Sequence, residues 1–531
     1  MRRRGPQNEA LTRRRLLRQG LAAVAGAALV GDAVPVRQGG AATSAPRRGG
    51  TLTYAASADM ITLDPPQVGE TVSAAGISMI YDSLVRYTPD QAIVPCLATS
   101  WTASGNSWTF KLRRNVQFQD GTGFDAAAVK AHFDRLLGTD QSLRAYLWVP
   151  YIASVNVVDA STVRFATKGP DPGFLARLAQ TTAAIESPAA FKKYGKDLAR
   201  HPVGTGPFSF SEWLPDQHVT LVRNDTYWGE KAYLDSVIVR PIADPAARVI
   251  ALTAGDVQLA IQISPEQLAT VAKDPRLMLQ VKDTLRYLFV GMNVLKKPCN
   301  DLRVRQALNY ALDKDAIVKN LYGSLGEVLP GPVPRGAAGY STVAGFRYDP
   351  RKAKQLLAEA GYPNGFSAAF TGPQGRYLKD FELEQAVQQQ LSAVGVTLNI
   401  QTVEWARYLE LLRMSPTNSP LEIWLDAWSD VEAGQIIENR WGCHYLRPLG
   451  ANTAGFCNLD IDQLVAQAER TLDEATRNAL LKQAQDLITQ LAPSIWLLQV
   501  KQAAGMSRKL HNPQLMESEQ LTVNEHTWLE A

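Results

Sequence analysis

Cysteine and histidine are scarce, four and six in 531 residues. The histidines, at 132, 201, 218, 444, 511 and 526, never fall four apart and H-E-x-x-H does not occur, so a hydrolytic metal site has no sequence support. Also missing are the G-x-S-x-G elbow, a lysine after a glycine-rich loop and the dinucleotide fingerprint. A triad assembled from distant residues escapes such a search, but nothing positive stands behind an enzyme. Charge of one sign is missing as well. The net charge is +4, yet residues 1–45 hold eight Arg, no Lys and two acids, which leaves the remainder at −2. A body so near neutrality gives no electrostatic reason to expect a nucleic acid partner. No long low-complexity tract is present, and the longest uncharged apolar stretch of the leader, "LAAVAGAALV", falls short of the roughly 20 residues that span a bilayer.

What is present begins with that leader. "TRRRLLRQG" precedes the apolar stretch, and a Gly/Ala/Pro-rich segment follows it. This order predicts an export signal of the twin-arginine type around Arg13 and Arg14, with an ordinary secretory leader as the alternative. Either way the mature protein is expected in the periplasm with the signal cleaved. No Cys precedes Cys96, so a lipid anchor is not expected. Cys443 and Cys457 bracket a loop rich in Gly, Pro and Asn, "WGCHYLRPLGANTAGFCN", which predicts a disulfide. A metal site with His444 and Asp460 is the rival reading, against which the spacing speaks. For Cys96 and Cys299, free buried thiols and a second bridge both fit.

At 531 residues the chain exceeds one hydrophobic core, and about three domains are expected. "TLTYAAS", "SWTFKLRRNVQF" and "FSFSEW" alternate as strands, and "VNVVDASTVRFAT" reads as a hairpin. Asp125 is placed to cap "AAAVKAHFDRLL", and Asp349 with Pro350 and Gly361 brackets another helix. Asp313 restarts a helix within Asp301–Tyr322, Gly395 stops one before "VTLNIQTV", and 461–500 gives two helices and a last strand. The mixture, without internal repeats, predicts an α/β or α+β protein. "HPVGTGPFSFSEW" carries two glycines but no lysine after them, and Pro207 has no N–H to offer a phosphate.

Together "TLDPP", "PCLATSWTASGNSWTFKLRRNVQFQDGTGF", "VGTGPFSFSEW" with "VRNDTYWG", "RVRQALNYALDKDAI", "AEAGYPNGF" and "QAQDLITQLAPSIWLL" run in one order across nearly all of residues 50–505. In that order they resemble the family 5 solute-binding proteins of ABC importers, the dipeptide, oligopeptide and nickel class. The resemblance implies an α/β fold like type II periplasmic binding proteins: two lobes, three domains with one inserted, around a ligand cleft. The implied boundaries are a leader over 1–45, domain I over 46–80, 204–288 and 494–531, domain II over 81–203 and domain III over 289–493. It implies a monomeric binder that delivers its ligand to a membrane permease, without cofactor or catalysis. In this family the G-T-G-P segment lies where the chain returns to the first domain, so its glycines are expected to serve that backbone geometry.

Peptide-binding members pair an acid with the ligand's amino group and a base with its carboxylate. In "LDAWSDVEAGQ" the resemblance points to Asp430 for the amino group, although the usual following Asp-Pro is replaced by Glu432 and Ala433; a solvated turn acid is the alternative. Arg376 in "GPQGRYLKD" stands near the carboxylate-binding position, against a surface arginine before a helix. Trp405 and Trp428 are candidates for pocket walls or for core, and Glu70 and Thr71 for the cleft face of domain I. The bridged loop Cys443–Cys457 also resembles the dipeptide branch. The ligand expected is a di- or oligopeptide, with a nickel chelate, an opine or an oligosaccharide as alternatives within the class and an exported hydrolase outside it.

Overall fold

The computed structural model describes residues 45–531 except 89–91, 172, 449, 472, 516–520 and 531. The expected leader, with Arg13 and Arg14, lies outside the described residues. Alternation of apolar and polar residues builds an eleven-stranded mixed sheet. From one edge its order is Val396–Val403, Phe366–Pro373, Ile423–Trp428, Leu277–Met292, Ser494–Ser507, Leu259–Ala260, Thr51–Ala56, Ser236–Pro241, His218–Arg223 and Phe208–Leu214. The eleventh, Gly326–Val328, joins Ser494–Ser507. Two long strands, Leu277–Met292 and Ser494–Ser507, run antiparallel along most of their length and are the spine of the sheet. Thr51–Ala56 and Ser236–Pro241 pair in parallel on one side of the spine, Phe366–Pro373 and Val396–Val403 on the other.

A separate antiparallel sheet holds Ala98–Ser104, Ser107–Leu112, Thr162–Thr167 and Ile152–Asp159. Its core packs Phe133 edge-on to Phe165 at 4.9 Å and Phe110 edge-on to Phe165 at 5.6 Å, a geometry that adds about 0.5–1.5 kcal/mol per pair beyond area burial. The strand expected through Phe118 stops at Leu112, because Asn115 turns into the left-handed region at φ 59°.

The helix boundaries follow the capping signals. Asp125 accepts from the Ala128 N–H, Asp313 from Ala316 and Asp349 from Lys352, each satisfying a donor that the first turn leaves open. Cys443 and Cys457 are disulfide-bonded, which removes the metal reading, while Cys96 and Cys299 are free and buried. Among the described residues no helix is long and apolar enough to cross a membrane.

The G-T-G-P segment crosses from the small sheet region into the strand Phe208–Leu214. Gly206 N–H donates to the Ile80 carbonyl at 2.8 Å. A Cβ at Gly204 would lie 2.2 Å from that same oxygen, and one at Gly206 2.6 Å from the Ile80 carbonyl carbon. The two passes of chain are thus in backbone contact, which only glycine permits. Thr205 Oγ1 and Trp228 Nε1 both donate to the buried Asp82, fixing the crossing from the side.

Candidate functional site

The helix Thr71–Ile80 points its N-terminus toward the loop after strand Ile423–Trp428 and toward the segment before helix Asp380–Ser392. Between them lies a cavity of about 240 Å³, and all six residues singled out in the sequence line it: Glu70, Thr71, Arg376, Trp405, Trp428 and Asp430. They arrive from four separate stretches of chain.

Arg376 is only 2% exposed, which overturns the surface-arginine reading. Its Nη2 donates to Thr71 Oγ1 at 2.9 Å, across 305 positions of sequence. Its Nε and Nη1 have no hydrogen-bond partner among the described residues. The guanidinium carbon sits 5.2 Å from the Trp405 ring centre and 5.4 Å from that of Tyr377. Aromatic faces steady the cation but give its N–H groups nothing to donate to. Two of its donors are therefore left open beside the cavity.

Glu70 plays a local part: its carboxylate accepts from Val72 and Ser73 N–H at 2.7 Å each and caps the helix. That cap sets Thr71 in place beside Arg376. Asp430 is held by Arg440 through a 2.9 Å ion pair, and Arg440 in turn lies flat over Trp428 at 3.1 Å from its ring centre. Asp430 is therefore neither free nor a plain turn acid. Trp428 donates through Nε1 to Asp426 at 3.0 Å. Trp405 opens the helix Trp405–Arg413, meets Tyr377 edge-on and Tyr408 at a tilt, and leaves its buried Nε1 without a partner among the described residues.

The sequence reading did not include Asp426, Tyr377 or Arg286. Asp426 is buried and accepts from Tyr377 Oη at 3.0 Å, Trp428 Nε1 and the Ala427 N–H. Burial pushes its carboxyl above the usual range, and those donors oppose the rise. Arg286 donates to the Ala427 carbonyl at 3.0 Å. For Asp426 and Arg286 the signal was a charge inside an apolar strand run, "EIWLDAW" and "TLRYLFVGM"; Tyr377 carried none. A second cavity of about 460 Å³ adjoins the first, sharing Val68, Gly69, Trp428 and Asp430. Among the described residues no group of three His, Cys, Asp or Glu side chains is placed to hold a metal ion.

A mixed α/β body, with a cavity walled by residues 68–71 on one side and 376–430 on the other, is that of a solute-capturing protein of the type II periplasmic-binding class. The family profile "Bacterial extracellular solute-binding proteins, family 5 Middle" matches residues 92–434. The chain is 34% identical over 465 residues to the glutathione-binding protein GsiB of Shigella dysenteriae, covering 86% of this chain and 91% of that one. Among solved structures, DppA of Helicobacter pylori in complex with the peptide STSA superposes with a TM-score of 0.84 at 28% identity, covering 91% and 99% of the two chains. The Agrobacterium tumefaciens protein MoaA in complex with mannopinic acid gives 0.85 at 29% identity, covering 91% and 100%. The chain belongs to family 5 of the bacterial extracellular solute-binding proteins, the receptors that hand a captured solute to an ABC-importer permease.

Proposed function

We propose that this receptor captures a di- or oligopeptide, with Arg376 taking the ligand's carboxylate, Asp430 its ammonium, and Trp405 and Trp428 forming the walls between them. Arg376 carries the reading: a buried cation with two unused donors on a cavity is matched by a carboxylate, which accepts in the same fork geometry. Asp430 already has Arg440, so an ammonium would share its carboxylate, and Thr71 with Glu70 forms the opposite rim. The names of the relatives, which bind glutathione and the peptide STSA, support a peptide. An opine bears a carboxylate too, and the mannopinic acid complex keeps that class as the second reading.

The same proposal divides the chain as the sequence suggested: a leader over 1–45, domain I over 46–80, 204–288 and 494–531, domain II over 81–203 and domain III over 289–493. Distinct apolar cores around Leu52 and Val237 and around Phe110 and Phe133 support setting domain II apart, while the core around Leu357 and Leu391 runs on into Val249 and Leu252 of domain I. Ligand gripped from both sides stabilises the closed form, which the permease can distinguish from the empty one. In this reading the leader is of the twin-arginine type and is cleaved, and the mature chain is an unanchored periplasmic monomer that binds without catalysing.

The test is a thermal-shift screen of residues 47–531 against dipeptides, longer peptides, glutathione, opines, sugars, and nickel with and without a chelator. Ligand at 100 times its Kd stabilises by about 2.7 kcal/mol. A peptide hit that disappears in Arg376→Met supports the assignment. A sugar or metal hit that Arg376→Met leaves intact refutes it.

A further inference from the structure

Asp82 and Glu525 line the second cavity beside Arg86, but its end around Tyr146 is basic. Arg440, 6% exposed, gives one N–H to Asp430, while its Nε and Nη1 have no partner among the described residues. Arg144, 7% exposed, donates to the Val68 carbonyl at 2.6 Å and to Tyr146 Oη at 3.0 Å, and pairs with no carboxylate among the described residues. It reaches the chamber only because residue 69 is glycine: a Cβ there would fall 1.2 Å from Arg144 Nη2. Arg447, 8% exposed, has an unpartnered Nε and no ion pair among the described residues. Arg413, partly buried, acts on the same hydroxyl of Tyr146. Arg144, Tyr146 and Arg440 line the 460 Å³ cavity, and Arg447 stands close enough for its charge to be felt at Tyr146.

Arg144 thus bonds the Tyr146 hydroxyl and three more guanidinium groups lie within electrostatic reach of it, with Asp430 as the one carboxylate ion-paired to any of the four among the described residues. Burial, joined by repulsion from the other arginines, lowers the Arg447 guanidinium to about 10, and against its own burial the arginines pull the Tyr146 hydroxyl below its ordinary value. Ion networks that only hold a fold together balance their charges, because a buried cation without an anion is costly. Here only Asp430 is ion-paired to any of the four among the described residues, and the space next to Arg144 and Arg440 is a cavity rather than packed core.

We propose that Arg144, Arg440 and Tyr146, backed by Arg447, form a second anion subsite that receives an additional carboxylate of the ligand. The receptor then selects peptides with one acidic group more than the C-terminus that Arg376 binds. This rests on the peptide reading above and narrows its substrate class to acidic peptides.

The experiment is calorimetric titration of residues 47–531 with Ala-Glu against Ala-Gln and with Glu-Ala against Gln-Ala, pairs of nearly equal shape that differ by one charge. At least one acidic member should bind ten times or more tighter than its amide, and raised salt should reduce that preference. In Arg144→Gln and in Arg447→Met the preference should shrink below threefold, while affinity for the amides stays within twofold of the parent. Arg447→Met should keep the parent's Tm or exceed it, since it removes an unbalanced buried charge, so loss of preference in that variant is not loss of fold. Equal affinity within both pairs overturns the subsite and leaves the peptide reading standing, as does a preference that survives undiminished in both variants. If none of the four dipeptides, glutathione or the longer peptides of the thermal-shift screen binds, the peptide reading fails and the subsite with it.

Discussion

Arg135 and Arg376 are both buried arginines, and they differ in what surrounds them. Arg135 donates to both oxygens of Asp64 and, at 3.2 Å, to Glu186, whose other oxygen meets His132. Arg376 has one hydroxyl, two aromatic faces and a cavity. The first guanidinium is matched inside the fold and ties helix Ala126–Leu137 to the segment around Asp64. The second keeps two donors that no described residue accepts. Glu384 completes the comparison from the acidic side: it is fully buried, neither oxygen has a partner among the described residues, and burial raises its carboxyl to about 8. A buried acid without a partner can neutralise itself, whereas an arginine keeps its charge.

The largest expected effect comes from breaking the matched cation. Arg135→Met strands Asp64 and Glu186, and chemical denaturation should show a loss of about 3–5 kcal/mol. Arg376→Met should behave in the opposite way: stability within about 1 kcal/mol of the parent, but peptide affinity down roughly 100-fold, since a charge-assisted hydrogen-bond pair contributes about 1.5–3 kcal/mol. A large loss of Tm in Arg376→Met, with binding retained by the folded fraction, would collapse the distinction between the two arginines.

Glu384 yields a pH dependence. Its folded value, about 8, lies above the ordinary carboxyl range, so the unfolded chain releases this proton first. Its contribution is full below about pH 4.5, declines as pH rises, and levels off above about 8. Glu384→Gln should match the parent near pH 4 and exceed it by several kcal/mol at pH 9, read from denaturation curves at the two pH values. The smallest effect is expected for Asp430→Asn: about tenfold weaker binding of a dipeptide with a free amino terminus, and little change for its N-acetylated form, by titration of both. Equal losses for the two would mean that Asp430 serves only to hold Arg440.

Much of this was legible in the chain, for identifiable reasons. The caps at Asp125, Asp313 and Asp349 operate within three residues, so a short window contains the whole interaction. The alternation of "FSFSEW" and "VNVVDASTVRFAT" reports strands because the pleat has period two. The six candidate residues were picked out by resemblance of ordered segments, and the cavity they share lay beyond that reading. Arg144, Arg440 and Arg447 carry no local mark at all; each sits in a stretch that reads equally well as surface.

By itself the sequence determined the family, the α/β class, the bridged loop and the capped helix starts, because these rest on near neighbours or on many motifs in one order. Tertiary structure alone decided which charges are matched and which are open. Thr71 and Arg376 are 305 positions apart, and Arg144 and Arg440 come from opposite walls of the same chamber. Whether a charge is balanced depends on everything within a few ångströms of it in space, and residues that meet there need not be near in the chain.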